Sequence, residues 1–285
     1  MLDLVCSNFD NVVVVYNGAN AMELGFLNEY DQIKGALWCP GTGQSGFNAL
    51  GSILIGDVNP SGKTSDTFAA DLTATPTWNN FGSFFYDNTE EFNMTQVGST
   101  GEEEIVAPSF VNYVEGIYVG YRFWETAADE GLINYDEAVV YPFGYGLSYT
   151  TFTQEMGEMT ASDGQISFDV TVTNTGDAAG KDVVEVYYNP PYTNGGIEKA
   201  TANLIAFEKT DVLEPGASET VTITFNEEDM ASYDYQNAEA YVLEAGTTRS
   251  ASTAILTTRS TLRHITYRRR SHTAETIHAP QTTQK

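Results

Sequence analysis

Apolar residues in this chain follow one period before residue 152 and another after it, and a change of period means a change of architecture. From Asn11 the run Asn-Val-Val-Val-Val-Tyr-Asn-Gly is continuously apolar at its centre, the pattern of a strand buried on both faces of a parallel sheet. Lys34 to Cys39 supplies a second short strand, and Ala21 to Tyr30 between them predicts a helix with Leu24 and Leu27 pointing one way. Two strands joined by such a helix lie parallel with a right-handed crossover, so residues 5 to 57 read as α/β. Beyond residue 152, Ile166, Phe168, Val170 and Val172 alternate with Ser167, Asp169, Thr171 and Thr173, and the strand stops at Asn174-Thr175-Gly176. Val184, Val186 and Tyr188 repeat the alternation, followed by Leu204 to Phe207. Val221, Ile223 and Phe225 then stand behind the turn Glu214-Pro215-Gly216. Short alternating strands separated by Gly, Pro and Asn turns indicate a second domain, an antiparallel β-sandwich.

The stretch from Ala36 to Lys63 is the densest in turn signals. It predicts a strand ending at Cys39, a proline-glycine turn, and a helix with Phe47, Leu50 and Leu54 on one face. A second turn follows at Asn59-Pro60-Ser61-Gly62. Gly41-Thr42-Gly43-Gln44-Ser45-Gly46 matches the G-x-G-x-x-G dinucleotide fingerprint literally. That fingerprint also needs an acidic residue at the end of the next strand to take the ribose hydroxyls. Asp57 sits in a turn and Asp66 precedes no second βαβ repeat, so a dinucleotide site is the minor reading. No Lys-Ser/Thr follows the glycines, which excludes a P-loop as well.

Charge narrows the partners. Residues 1 to 246 hold six Lys/Arg against 38 Asp/Glu, net −32, whereas residues 247 to 285 hold seven against Glu275 alone, net +6. An acidic body repels phosphate, which argues against nucleic acid as a partner. His264, His272 and His278 all lie in the basic tail, isolated among Thr and Arg. The body therefore cannot build a Ser-His-Asp or Cys-His arrangement and lacks the commonest zinc ligand. No metal site and no cofactor are expected. Cys6 and Cys39 form no CxxC pair and read as two buried reduced thiols. No apolar run approaches the roughly eighteen residues of a membrane span. Met1-Leu2-Asp3 opens with no basic n-region, and a cytoplasmic location is expected.

Thr73 to Ala107 reads as irregular, ending in a mobile polar loop through Gly101-Glu102-Glu103-Glu104. From Phe110 to Phe152 aromatic density rises, with Tyr113, Tyr118, Tyr121, Phe123, Trp124, Tyr141, Phe143, Tyr145 and Tyr149. Side chains of this size pack between domains or line a sugar-sized cleft.

The run from Ala36 to Lys63, with Thr67-Phe68 after it, resembles the C-terminal α/β-sandwich domain of family 3 glycoside hydrolases, the β-glucosidase group. So do Glu115-Gly116-Ile117-Tyr118-Val119-Gly120-Tyr121-Arg122 and Tyr141-Pro142-Phe143-Gly144-Tyr145-Gly146-Leu147-Ser148-Tyr149-Thr150. The following sandwich resembles the fibronectin-III-like domain of the same enzymes, including Phe207-Glu208-Lys209 and Leu213-Glu214-Pro215-Gly216. Pro76-Thr77-Trp78-Asn79-Asn80 resembles bacterial members. The resemblance implies an incomplete parallel α/β sandwich domain over residues 1–110, an aromatic linker over 111–152, a fibronectin-III-like antiparallel β-sandwich over 153–250, and a basic, disordered or frameshifted tail over 251–285.

It also implies retaining hydrolysis of a β-glucoside or oligosaccharide by two carboxylates about 5 Å apart. The family's nucleophile is an aspartate on a TIM barrel, and its acid/base glutamate lies upstream of the Val12 to Tyr16 strand. Neither motif has a counterpart here, so no catalytic residue is assigned, the substrate-binding residues stay unassigned, and the chain alone is expected to be inactive. Met1 then reads as an internal methionine of a longer frame, and the missing barrel half as the partner. Glu115 sits in a motif, but its expected role is an inter-domain contact. A carbohydrate-binding accessory module using Tyr113 to Tyr149, or a purely structural fragment, stays open beside this reading. After Leu243-Glu244-Ala245-Gly246 the family closes its sandwich with a strand, whereas Thr247 onward is Thr-rich, basic and without alternation. A one-nucleotide shift of frame near Gly246 restores an alternating segment, so a frameshift there is expected.

Overall fold

The computed structural model describes residues 1–80, 82, 84–244, 246–253 and 261–267. Helix α1 (Leu2–Cys6) leads into β1 (Val12–Tyr16), which pairs parallel with β2 (Ile33–Trp38) in the expected order. The connection differs from expectation: Ala21 to Tyr30 contains only a 3₁₀ turn, Gly25–Asn28. Gly25 weakens any longer helix, and the single turn already buries Leu24 and Leu27 against Phe68. Polar bonds hold the rest of the loop, with Tyr16 Oη donating to Asn20 O at 2.8 Å and Trp38 Nε1 to Gly18 O at 2.8 Å. β1 is not covered on both faces either. Its residues alternate between half-buried and exposed, and Val13 is 49% and Val15 37% exposed, because the described sheet has only two strands and one packed side.

Helix α2 (Phe47–Leu54) lies where the spacing predicts, yet none of its residues is buried. The chain then returns through β3 (Phe68–Ala69). Strands β4 (Phe84–Phe85), β5 (Met94–Val97), β6 (Glu103–Val106) and β7 (Ser109–Phe110) nest, β4 pairing with β7 and β5 with β6. The polar run expected as a mobile loop is thus one arm of a hairpin. Glu103 and Glu104 are exposed, so ladder hydrogen bonds rather than burial hold it. The aromatic segment read as a linker carries α3 (Tyr121–Asp129), α4 (Tyr135–Ala138) and β8 (Val139–Tyr141). β8 pairs antiparallel with β3, and Trp124 and Val139 share a small core with Ala69. Phe123, Trp124 and Tyr135 pack in that core, Tyr118 and Tyr121 reach the sandwich, and Tyr113 and Tyr149 are exposed.

The sandwich follows the alternation closely. One sheet contains β9 (Phe152–Met156), β10 (Thr160–Ser162), β11 (Gln165–Asn174) and β14 (Ser218–Asn226). The other contains β12 (Val183–Asn189) and β13 (Asn203–Lys209). Val170 and Val172 on β11 face Val184 and Val186 on β12, with Ile223 and Phe225 on β14, in the principal core. On the solvent side hydroxyls pair across β11 and β14, Thr171 with Thr220 at 3.1 Å and Thr173 with Ser218 at 2.7 Å. A small hairpin of β15 (Ser232–Asp234) and β16 (Ala240–Val242) follows.

A strand stands in the chain at the place where the sandwich is expected to close. β17 (Gly246–Thr253) runs antiparallel to β12 and carries β18 (Thr261–Tyr267) on its other edge. Strand pairing uses backbone groups, so a Thr-rich segment without alternation can still extend the ladder. Residues 254–260 and 268–285 of the expected tail lie outside the described residues. Cys6 is buried and Cys39 partly so, both as free thiols.

Where β11 ends, Asn174 is wholly buried and every polar atom of its amide is used. Its Nδ2 donates to Ala178 O and Leu213 O, both at 2.8 Å, while Oδ1 accepts from Thr150 Oγ1 at 2.6 Å and Gly176 N at 3.1 Å. Asn174→Ala strands those four partners, and chemical denaturation is expected to show a loss of about 2–4 kcal/mol.

Candidate functional site

The glycine-rich turn shapes the backbone and does not form a cradle. Gly41 and Gly43 take positive φ of 48° and 64°, which side chains resist, and a Cβ on Gly46 would lie 2.3 Å from Thr42 O. Asn17 Nδ2 donates to Cys39 O at 2.6 Å and pins the end of β2 to the loop after β1. The convergence of polar groups lies further along, where the α/β half meets the sandwich.

Asn59 opens that joint. Its Nδ2 donates to Ala179 O of the sandwich at 2.9 Å, while its Oδ1 accepts from Ser148 Oγ and Tyr149 N, both at 3.0 Å. Four residues on, Lys63 Nζ donates to Gly146 O at 3.1 Å and lies 3.5 Å from Asp182 Oδ1. Asp182 Oδ2 accepts from Gln154 Nε2 at 2.8 Å, and Lys209 Nζ donates back to Ser61 O at 3.0 Å. The approach is close: a Cβ on Gly146 would stand 2.3 Å from the backbone oxygen of Gly62, and one on Gly144 would stand 2.3 Å from the Glu185 side chain at Oε2.

Glu185 and Tyr187 explain why β12 is buried along both faces. They point outward from the sandwich, and the α/β half covers them. Tyr187 Oη donates to Glu185 Oε2 at 2.6 Å, and the Tyr187 ring meets Tyr121 at 6.0 Å edge to face. Burial pushes the Glu185 carboxyl up, against the lowering effects of Tyr187 and Lys63, with Asp182 adding to the rise. Burial and the Glu185 charge push the Tyr187 phenol up as well. Lys209 is held down by burial and by Lys181 and Lys63 nearby. A second seam is formed by α3 and the loop before it. Tyr121 Oη accepts from Leu204 N at 2.9 Å, Thr201 N donates to Thr126 Oγ1 at 3.0 Å, and Tyr118 Oη donates to Glu198 Oε2 at 2.5 Å.

Glu115 is buried and accepts from Asn80 Nδ2 at 2.8 Å. The inter-domain contact expected of it is made instead by Tyr118, three residues later. Nothing in the sequence reading singled out Asn59, Asp182 or Glu185, although Asn59 and Lys63 stand inside the quoted motif. No group of three His, Cys, Asp or Glu that could hold a metal occurs among the described residues. The arrangement binds two domains into one unit and contains no assigned catalytic pair.

The fold is that of a domain pair, an α/β piece with a glycine-bounded helix locked through Asn59 and Lys63 onto an antiparallel β-sandwich. Residues 1–121 match the glycosyl hydrolase family 3 C-terminal domain, and residues 182–250 match the fibronectin type III-like domain. The chain is 38% identical over 264 residues to β-glucosidase A of Butyrivibrio fibrisolvens, covering 86% of this chain and 28% of that relative. It is 35% identical to a β-glucosidase of Ruminococcus albus, covering 86% of this chain and 23% of the relative. Among solved structures, β-glucosidase 3B of Thermotoga neapolitana in complex with α-D-glucose aligns with TM-score 0.70 and 30% identity, over 90% of this chain and 31% of that one. The Kluyveromyces marxianus β-glucosidase in complex with glucose aligns with TM-score 0.76 and 27% identity, over 94% and 28%. This chain belongs to glycoside hydrolase family 3, and it spans about a quarter of the length of the curated relatives it matches.

Two substitutions probe the joint. Gly146→Ala forces apart backbones that are already in contact and is expected to cost about 1–3 kcal/mol in a denaturant titration. Glu185→Gln tests the buried carboxylate. A folded pKa above the ordinary 4.5 means that ionisation costs stability, absent below that value and present in full once pH passes the folded pKa. The variant is expected to melt higher than the parent at neutral pH, with the difference shrinking as pH falls through the carboxylate range.

Proposed function

We propose that this chain is the C-terminal part of a retaining β-glucosidase, acting docked on a catalytic barrel outside its 285 residues and inactive by itself. The observation that carries this reading is the uncovered α/β half. β1 and β2 form a two-stranded parallel sheet with Val13 and Val15 exposed, and α2 turns Phe47 and Leu54 to solvent, followed by Ile55. Parallel sheets are ordinarily covered on both faces, and contiguous exposed apolar surface marks an interface. The named activity of the relatives, and the roughly three quarters of their length not spanned here, support a barrel as the occupant.

In the family the reaction needs a nucleophilic aspartate and an acid/base glutamate flanking the scissile bond, both outside the motifs this chain matches. Its own contribution is positional: Lys63 and Asn59 fix the α/β half against the sandwich, so that its open face can dock as a rigid surface. The partners are the barrel half and, in the assembled enzyme, a β-glucoside or oligosaccharide; nucleic acid and membranes are not among them. The acidic balance, which repels phosphate, supports this. Two free thiols support a cytoplasmic location.

Purified chain is expected to turn over an aryl β-glucoside no faster than a heat-killed control. Co-expression with the part of B. fibrisolvens β-glucosidase A that this chain does not span is expected to give a co-purifying, active pair. Turnover by the chain alone, or failure of the two parts to associate, overturns the reading.

A further inference from the structure

One concave feature of the sandwich plays no part in the joint. The β15–β16 hairpin and the loop at Gly195–Ile197 enclose a cleft of about 320 Å³, at the lower end of the roughly 300–1,000 Å³ of small-molecule sites. Tyr233, Tyr235, Gln236 and Asn237 line it together with Ile197 and Val242. Tyr235 is 64% exposed, so its ring is open to a ligand.

The rings are held in place. Tyr233 packs edge-on against Tyr241 at 5.2 Å, its Oη donates to Glu239 O at 3.2 Å, and Tyr235 Oη accepts from Gln236 Nε2 at 2.9 Å. Asp234 is committed to shaping the loop: Oδ1 accepts from Gln236 N and Asn237 N, both at 3.0 Å, and Oδ2 from Ala238 N at 3.2 Å. Those backbone bonds hold its carboxyl below the ordinary range. Glu244 is tethered through Oε2 to the buried Lys199, whose Nζ also donates to Pro191 O at 2.7 Å.

We propose that this cleft is a non-catalytic binding site for a neutral glucan chain, taking one or two pyranose rings at a time. A pyranose has an apolar C–H face that stacks on a tyrosine ring, and a rim of hydroxyls that needs amide and carboxylate partners, the combination that Tyr233, Tyr235, Gln236, Asn237 and Glu244 present. Asp234 and Glu244 disfavour an anionic ligand there, as does the acidic body. Fixing the rings beforehand lowers the ordering cost of binding, which matters for a site this shallow. The choice of glucan rests on the β-glucosidase reading above, whereas the site itself does not require hydrolysis.

Calorimetric titration of the full chain with cellohexaose and with laminarihexaose tests it. Saturable binding in the millimolar to high-micromolar range is expected for at least one of the two. Tyr235→Ala, at an exposed position, is expected to weaken it roughly tenfold, Gln236→Ala to weaken it less, and Tyr113→Ala to leave it unchanged. Circular dichroism matching the parent confirms that the variants fold. Absence of saturation with both sugars overturns the proposal. Undiminished binding in Tyr235→Ala, or an equal loss in Tyr113→Ala, also overturns it by placing the site elsewhere. Because the readout is binding, its failure is distinct from failure of the barrel-docking assay.

Discussion

The ammonium of Lys63 is the constraint on which the two halves of this molecule depend. Its side chain is 15% exposed, too little for water to solvate it alone, so its charge must be met by protein. Gly146 O comes from the turn before the sandwich and Asp182 from the sandwich itself, so both partners are in place only when the halves are docked. Asn59 works by the same logic with neutral groups, bonding Ala179 with one end of its amide and Ser148 and Tyr149 with the other. Segments 59–63, 141–150 and 179–187 are therefore one structural unit. Loss of any one leaves polar groups of the other two buried without partners.

Cations are scarce enough here for their placement to carry meaning. Six serve the first 246 residues, and three of them, Lys63, Lys181 and Lys209, gather near the joint. Like charges repel, so the cluster is tolerable only because Asp182 and the Ser61 and Gly146 carbonyls are built into it. Lys181 and Asp211, 3.9 Å apart and exposed, add little. Most of the acidic excess elsewhere stays on solvated surface, with Glu115 and Asp234 buried but hydrogen-bonded, whereas at the joint charge is balanced because desolvation makes imbalance costly.

What the sequence revealed tracks how local each feature's cause is. β11 and β14 were legible because one face meets the core and the other meets water, and period two records that directly. β12 was legible only in Val184, Val186 and Tyr188. The burial of Glu185 and Tyr187 depends on a turn some forty residues earlier, at Gly144, which no local pattern encodes. The helix expected over Ala21 to Tyr30 failed because two well-placed leucines satisfy a single turn as well as a helix. β17 was missed for the opposite reason: its ladder is made by backbone groups, and its side chains carry no alternation to read. Asn59 and Lys63 were visible as parts of a motif, but what each holds follows from partners more than eighty residues away.

The two halves also differ in how they secure themselves. Thirteen buried residues form one continuous core in the sandwich, against three in each of the two clusters of the α/β half. Hydrophobic stabilisation scales with buried apolar area, so the sandwich supplies most of the folding free energy and the α/β half borrows order through the joint. The glycine-rich turn at Gly41–Gly46 fits that division. It follows Trp38 at the end of β2, and Gly41 and Gly43 bend the backbone at positive φ without providing burial. Local rigidity there comes from Asn17 on Cys39 O and Trp38 on Gly18 O, two bonds that tie the strand ends together. Polar ties of this kind fix geometry while leaving the apolar residues of β1 and α2 unused. A half built this way keeps Val13, Val15, Phe47 and Leu54 at the surface on an ordered backbone.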